Sequence, residues 1–326
     1  MRWRSLPERL PRCESGEVTG VRVDRSIVIP FIIFTAIWGS TWIVIRDQLG
    51  VVPAQWSVTY RFALAAVAMA AVAKWKGHDL RLDRGGIIAA LFIGGAQFCI
   101  NFNSVYLAEH YITSGLVATV FALLLIPNSL LAWGFLGQKP TRRFFWAALV
   151  ATAGIGLLFL HEVRAAPGRG SDIAIGLGLT IVGLLGASAA NVYQAGAEAR
   201  RHPLFALLAW SMIFGAVFDA IIAFVVAGPP VFDPRPGYWL GVAYLALAAS
   251  VLCFSLYFPV VRKIGPGKAA YSSVIVPIIA MALSTGFEGY RWTALSIAGA
   301  LLALGGMLLA LAGRRRPQLV AAPDAA

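Results

Sequence analysis

The sequence predicts an all-α membrane protein with ten transmembrane helices, arranged as two inverted five-helix repeats. Hydrophobic residues make up 59% of the 326 residues and charged residues only 13%, about half the charged share of a typical soluble domain. Ten apolar stretches are each long enough to cross a hydrocarbon core of about 30 Å as a helix. A polar stretch at 162–172 divides these ten into five plus five.

The apolar stretches are continuous rather than alternating. In lipid only helices and closed barrels satisfy every backbone group, and barrel strands alternate apolar and polar residues over roughly ten positions. Continuous stretches therefore predict helices. In chain order the predicted spans are 27–45, 55–73, 86–107, 113–135, 144–161, 173–195, 204–227, 238–260, 268–286 and 292–312.

The net charge of +12 indicates orientation rather than nucleic-acid binding. The N-terminal tail, every second loop and the C-terminal tail together hold 21 Lys and Arg residues, whereas the other loops hold 5. Loops rich in Lys and Arg stay in the cytoplasm, so we expect both termini there. We also expect the first apolar run to remain as a helix, because it is too long for a cleaved signal.

The predicted organisation is a cytoplasmic tail (1–26), a first repeat (27–161), a linker (162–172), a second repeat (173–312) and a second cytoplasmic tail (313–326). An odd number of spans per half inverts the second half, as in many secondary transporters. Residue matches at an offset of about 150 support the division: Pro127 with Pro277, Gln138 with Glu288, and Tyr106 with Tyr257.

Several short motifs occur in an order that resembles a known family. They are Trp38-Gly39-Ser40, the stretch from Tyr60 to Ala66, the two prolines Pro127 and Pro277, and Phe287-Glu288-Gly289. In this order they resemble the EamA-domain branch of the drug/metabolite transporter superfamily. The resemblance implies a ten-helix carrier with a central cavity, and a function in export of small metabolites such as amino acids. Gln138 replaces an acidic residue of the family pattern, which leaves the coupling mechanism open.

Two charged residues lie deep within predicted spans. Arg61 lies in the second span and Asp219 in the seventh. A charge at membrane depth costs about 2.5–3.5 kcal/mol on insertion scales, so it usually faces a cavity or a partner. We predict that the two interact, directly or through the solute, in at least one state. A structural role for Asp219 and a snorkelling Arg61 remain alternatives.

The remaining candidate residues are polar, aromatic or proline residues within spans. Gln97 and Asn101 share a polar face of the third span, with Asn103 and Tyr106 on an adjacent face; they indicate either a cavity wall or hydrogen bonds between helices. Each proline frees one backbone carbonyl of its helix. This indicates either part of a solute site or a passive kink in the helix. The other candidates for solute binding or coupling are Trp38, Ser40, Asn128, Asn191 and Tyr257.

We predict a cavity lined by spans one to four and their repeat partners, with the fifth and tenth spans peripheral. The polar residues concentrate in the former, and the tenth span carries polar groups only near one end. The expected partners are the lipid bilayer and a small-molecule solute, with proton coupling left open, no nucleic acid, and a monomer or homodimer as the assembly. The location is expected to be the bacterial inner membrane.

The sequence does not contain the residue patterns that other functional classes would need. There is no phosphate-binding loop, no cluster of His, Cys and carboxylates with metal spacing, and no catalytic set near the interface. We therefore expect no enzyme activity and no cofactor, and free thiols at Cys13, Cys99 and Cys253. A channel would show a filter-like segment. A flippase or a carrier of phosphorylated solutes stays as an alternative, as does a membrane scaffold.

Overall fold

A computed structural model describes residues 25–264 and 272–312 of the chain. The predictions for the tails 1–24 and 313–326, and those for Cys13 and Lys268, fall outside the described residues. Within them, Cys99 and Cys253 are buried and form no disulfide bond.

Ten long helices account for almost all of the described chain, and we number them in order. They are α1 (Arg25–Gln48), α2 (Ala54–Trp75), α3 (Arg84–Ala108), α4 (Ser114–Leu136), α5 (Arg142–Ala165), α6 (Gly170–Ala195), α7 (Leu204–Ala227), α8 (236–264), α9 (Ser272–Phe287) and α10 (Ala294–Ala312). A single turn, Ala197–Arg200, separates α6 from α7.

The all-helical prediction is confirmed. The first eight helices are long and apolar enough to cross a membrane, and the last two contain shorter apolar stretches. Helix ends differ from the predicted spans by a few residues. The largest difference is at the predicted linker 162–172, where only 166–169 lie between α5 and α6. Polar residues continue these helices, and Asp172 stands in the first turn of α6, where a carboxylate is favourable.

Contacts near the helix ends show that successive helices alternate in direction. At one end of the bundle Arg46, near the end of α1, pairs with Glu288 after α9, and His161 near the end of α5 contacts Thr293 before α10. We call this the Glu288 end. At the opposite end Trp210 donates to the backbone of Leu80. We call that end, where α9 begins, the Ser272 end.

The third helix of each half contains a widened, π-helical segment at the corresponding position. In α3 it spans Gly94–Asn101, and in α8 it spans Tyr244–Leu252, an offset of 150 residues between the two starts. Such segments replace the usual i→i+4 hydrogen bonds by i→i+5 bonds and occur frequently at functional sites. Like Pro127 and Pro277, the two segments occupy corresponding positions in the two halves of the chain.

Helices α5 and α10 pack mainly against one another. A Cβ added at Gly154 would lie 2.3 Å from the backbone nitrogen of Ala303, and one at Gly306 would lie 2.4 Å from that of Ala151. Small residues allow this close approach, as is usual for helices in lipid. The pair lies apart from the cavity described next, which agrees with the predicted peripheral position of spans five and ten.

Candidate functional site

A cavity of about 130 Å³ lies between helices of both repeats. Seven helices line it: α1 to α4 together with α6, α8 and α9. The lining residues include Trp38, Thr41, Trp42, Ile45, Arg61, Gln97, Asn101, Phe102, Val105, Ala118, Phe121, Asn128, Ala187, Asn191, Phe254, Tyr257, Ser272, Ser273 and Pro277. Helix α7 contributes no lining residue, which differs from the prediction. Its small residues Ser211 and Gly215 instead pack directly on α3.

Eight of the thirteen candidate residues line the cavity, and five lie elsewhere. The eight are Trp38, Arg61, Gln97, Asn101, Asn128, Asn191, Tyr257 and Pro277. The other five are Ser40, Asn103, Tyr106, Pro127 and Asp219. The roles of all thirteen in solute binding or coupling stay predictions.

The π-helical segment of α3 carries two of the polar residues that line the cavity, Gln97 and Asn101. Gln97, Asn101 and Val105 follow one another at intervals of four along this wall. Residues four apart share a face, and Gln97 and Asn101, predicted to share one, both face the cavity. Gly94, at its start, meets α7 instead, where an added Cβ would lie 2.6 Å from the backbone oxygen of Ser211.

Aromatic side chains from α1 and α8 form an apolar wall. The ring of Trp38 lies 5.0 Å from that of Tyr257 and 5.6 Å from that of Phe254, measured between centroids. Its indole N–H donates to the backbone oxygen of Ala249 at 3.0 Å, so the ring is fixed in orientation. Trp38 therefore both packs against α8 and faces the cavity.

The two predicted prolines occupy different positions relative to the cavity. Pro277 lines it directly, in the second turn of α9. Pro127 does not, but a short 3₁₀ segment, Ala122–Leu124, precedes it in α4. Proline cannot donate the usual helical hydrogen bond, and the backbone adjusts one turn earlier. The neighbouring Asn128 is the α4 amide that faces the cavity.

Arg61 is the one charged residue among the cavity-lining residues. Its side chain is 1% exposed, so it does not snorkel to the surface. The Nε atom donates to the hydroxyl of Ser250 in the π-helical segment of α8 at 3.1 Å. The guanidinium carbon lies 4.3 Å from the ring centroid of Phe102, and Tyr106 is within electrostatic reach.

Asp219 is fully buried but faces α3 rather than the cavity. Its carboxylate accepts a hydrogen bond of 2.6 Å from the side-chain amide of Asn103. The same amide also donates to the backbone oxygen of Cys99. Within the described residues Arg61 and Asp219 form no ion pair in this conformation: Asp219 is bonded to Asn103, whereas Arg61 is bonded to Ser250 and contacts Phe102. Their interaction in another state stays a prediction.

Ser40 and Tyr106 make hydrogen bonds outside the cavity. The hydroxyl of Ser40 donates to the backbone oxygen of Ile37 and shares a 2.7 Å hydrogen bond with the hydroxyl of Tyr244 on α8. Tyr106 donates to the side-chain oxygen of Gln48 at 3.1 Å. Both residues thus join neighbouring helices in this conformation.

A polar cluster that the sequence analysis missed joins several helices at the Glu288 end. Its members are Arg46, Glu109, Ser114 and Glu288: Arg46 directly follows the cavity-lining Ile45, and Glu109 and Ser114 lie about one turn beyond the lining residues Val105 and Ala118. Arg46 lies 3.6 Å from the carboxylate of Glu288 and donates to the backbone oxygen of Glu109. Ser114 donates to the same Glu288 carboxylate. These contacts join four helices across the cavity mouth.

Glu109 is the least usual member of this cluster. The residue is fully buried, and neither carboxylate oxygen has a hydrogen-bond partner among the described residues. Burial, together with the neighbouring Glu288 carboxylate, raises its pKa well above the usual range, although Arg46 acts in the opposite direction. A neutral, protonated Glu109 fits this arrangement.

The cluster could not be predicted by considering each membrane span separately. Glu109 and Ser114 bound a loop of 109–113, and charged residues in loops are usually solvated. The available signal was the Phe287-Glu288-Gly289 motif, which placed one carboxylate at a helix end. No group of three or more His, Cys, Asp or Glu residues that could hold a metal occurs in 25–264 and 272–312.

Comparisons with known proteins agree with this architecture. The chain is 28% identical over 268 residues to the uncharacterized inner membrane transporter YedA of Escherichia coli strain K12, covering 80% of this chain and 84% of YedA. It is 24% identical to the uncharacterized transporter YyaM of Bacillus subtilis, covering 90% and 94%. A solved crystal structure with 18% identity superimposes with a TM-score of 0.66 over 89% of this chain and 97% of that chain.

The model of one family matches the chain twice, once in each half. The two matches cover residues 25–160 and 174–312, and they correspond to α1–α5 and α6–α10. The duplicated match, the repeated π-helical segments and the multi-pass helical fold describe the same internal repeat. The chain therefore belongs to the EamA-like transporter family.

Proposed function

We propose that the protein is a secondary transporter that exports a small metabolite, such as an amino acid or a related compound, across the cytoplasmic membrane by alternating access. The observation that carries this proposal is the cavity between the two repeats. It combines amides, an aromatic wall and one cation, as sites for small amphipathic solutes do. The cavity extends to the first turn of α9, and the polar cluster lies beyond its other end, at the Glu288 end.

The distribution of charge supports the proposed direction. The positive-inside rule favours a cytoplasmic Ser272 end, so the polar cluster at Glu288 would face outward. A solute would then enter from the cytoplasm and leave after the polar cluster opens. A single lining cation disfavours phosphorylated solutes, which carry about two charges at neutral pH and are usually bound by several donors.

The proposal is tested by comparing the metabolites that cells release. Cells that overproduce the protein should release one or a few small compounds faster than cells that lack it. Ala187→Phe, which fills the cavity, should abolish the difference. The matched control is Ala174→Phe on the same helix, where the alanine is exposed on the outer surface of the bundle; this variant should export normally.

Two results would contradict the proposal. One is an unchanged metabolite profile on overproduction. The other is equal activity of Ala187→Phe and the wild-type protein at equal amounts in the membrane, since that would place the solute path elsewhere.

A further inference from the structure

We propose that Arg61 is the anion-binding residue of the cavity, and that the solute is a small organic monoanion, above all a carboxylate, with an apolar body. This inference rests on the proposed function and adds the chemical class of the solute. It follows from the position, the hydrogen bonding and the surroundings of one side chain.

The first step concerns the unmet hydrogen-bonding capacity of Arg61. Its Nε atom donates to the hydroxyl of Ser250, which itself donates to the backbone of Leu245, and the guanidinium also interacts with the hydroxyl of Tyr106. One terminal nitrogen, Nη1, is buried without a partner among the described residues. A guanidinium carries five donors in a planar fork, so part of that fork is left for a ligand.

The second step concerns charge. A buried cation without a counterion is costly, and the residue does not reach the surface. Among the described residues no carboxylate lies within ion-pairing distance of Arg61. The nearest candidate by depth, Asp219, is bonded to Asn103 instead. An anionic group of the solute would supply the missing counterion.

The third step concerns geometry and size. The ring of Phe102 lies 4.3 Å from the guanidinium carbon, and that of Phe62 lies 5.2 Å away. Such contacts orient the planar group and favour approach of a ligand at its edge. A planar carboxylate matches that edge with two parallel hydrogen bonds. Trp38 and Tyr257 offer an apolar surface in the same cavity for the rest of the solute.

The first test uses the release comparison at matched protein amounts. The compounds released by cells with the wild-type protein should each carry a carboxylate or another monoanionic group. Arg61→Gln should lower their release by on the order of tenfold or more, as expected for loss of a buried charge partner. Arg61→Lys, a point charge without the fork, should retain part of it. Arg164→Gln, at an exposed arginine of α5, is the matched control and should have no effect.

Different results refute different statements. If the wild-type protein releases no compound, the proposed function fails and this inference fails with it. If the released compounds lack an acidic group, or if Arg61→Gln releases them as fast as the wild-type protein, the transporter stands and the role of Arg61 is wrong.

A second test does not depend on the stability of the variants. The purified wild-type protein is heated with benzoate or with the neutral analogue benzamide, at equal ionic strength. Benzoate should raise the Tm more than benzamide, and Arg61→Lys should reduce that difference. Equal shifts for the two compounds, or no shift with either, would overturn the proposal, because a small aromatic monocarboxylate fits both the charge and the apolar wall.

Discussion

The carboxylate of Glu288 accepts two hydrogen bonds from Ser114, one from the backbone N–H at 3.3 Å and one from the hydroxyl at 2.5 Å. The two residues are 174 positions apart and belong to different repeats. Ser114 is the first residue of α4, where a helix presents unpaired N–H groups and a partial positive charge. This carboxylate therefore joins the end of α9 to the start of α4 across the cavity mouth.

Loss of this contact should open the Glu288 end. In a background without native cysteines, Ala118→Cys places a thiol on the cavity wall. Adding Glu288→Gln should increase its labelling by a membrane-impermeant reagent in intact cells several-fold, because the charge-assisted bonds are worth about 1.5–3 kcal/mol each. Asp172→Asn, at an exposed carboxylate of the same end, is the control. Equal rates in all three would show that Glu288 does not hold this end closed.

The closed state should weaken as external pH rises. Glu109 has a raised pKa in this conformation, so the closed state binds its proton more tightly than an open state in which the group meets water. That stability is complete below the ordinary pKa of a glutamate and is lost as pH rises toward the raised value, by up to about 1.4 kcal/mol per pH unit. The charged groups around it are Arg46, Glu288 and His110, whose own pKa is lowered by burial.

The measurement is the labelling rate of Ala118→Cys between about pH 5.5 and 8.5, divided by that of the exposed Val51→Cys to remove the titration of the thiol itself. The ratio should rise with pH in the parent protein and stay low and flat with Glu109→Gln. A flat ratio in the parent would exclude Glu109 as a proton-dependent contact.

Orientation in the membrane is a separate prediction. A reporter fused after Arg316 should lie in the cytoplasm, and one inserted within 229–236 should lie outside, because Lys and Arg concentrate on alternate loops. Reporters on the same side would contradict the ten-span topology, and reversed sides would invert the proposed direction of transport.

The hydrogen bond between Asp219 and Asn103 should stabilise the packing of α7 on α3. In a double-mutant cycle of Asn103→Ala and Asp219→Ala, thermal unfolding in detergent should show a coupling of about 0.6–1.7 kcal/mol, the range for polar contacts between membrane helices. The cycle of Arg61→Gln and Asp219→Asn should be additive in stability, since the pair is apart here. Non-additive solute flux in that second cycle would reveal their contact in another state, and additivity in both assays would show that the two do not communicate.

The sequence was sufficient to predict the helices, their order and the internal repeat, because a helix needs about 20 mostly apolar residues to cross the bilayer. Arg61, Gln97 and Asn101, which the sequence singled out, line one cavity, and their roles stay predictions. The sequence could not pair Asn103 with Asp219, because the two residues are 116 positions apart and hydropathy does not determine how α7 packs on α3. It missed Glu109 because nothing local distinguishes a buried loop carboxylate from a solvated one.

The pairing of α5 with α10 gives a matched test of packing at neighbouring positions. A Cβ at Gly306 would lie 2.4 Å from the backbone nitrogen of Ala151 and 2.7 Å from the backbone oxygen of Ala147, whereas one at Gly305 would meet nothing within 4 Å. Gly306→Ala must therefore push two backbones apart, at a cost of about 1–3 kcal/mol as for overpacked cores. Gly305→Ala should be neutral or slightly stabilising, because alanine loses less backbone entropy in a helix.

The measurement is the Tm of the two purified variants in the same detergent, with the release of solute as a second readout. We expect Gly306→Ala to lower the Tm clearly while leaving the choice of solute unchanged, since α5 and α10 contribute no residue to the cavity. Equal Tm values for the two variants would mean that the α5–α10 contact is not close in the membrane protein. A changed set of released compounds would instead connect this peripheral pair to the cavity.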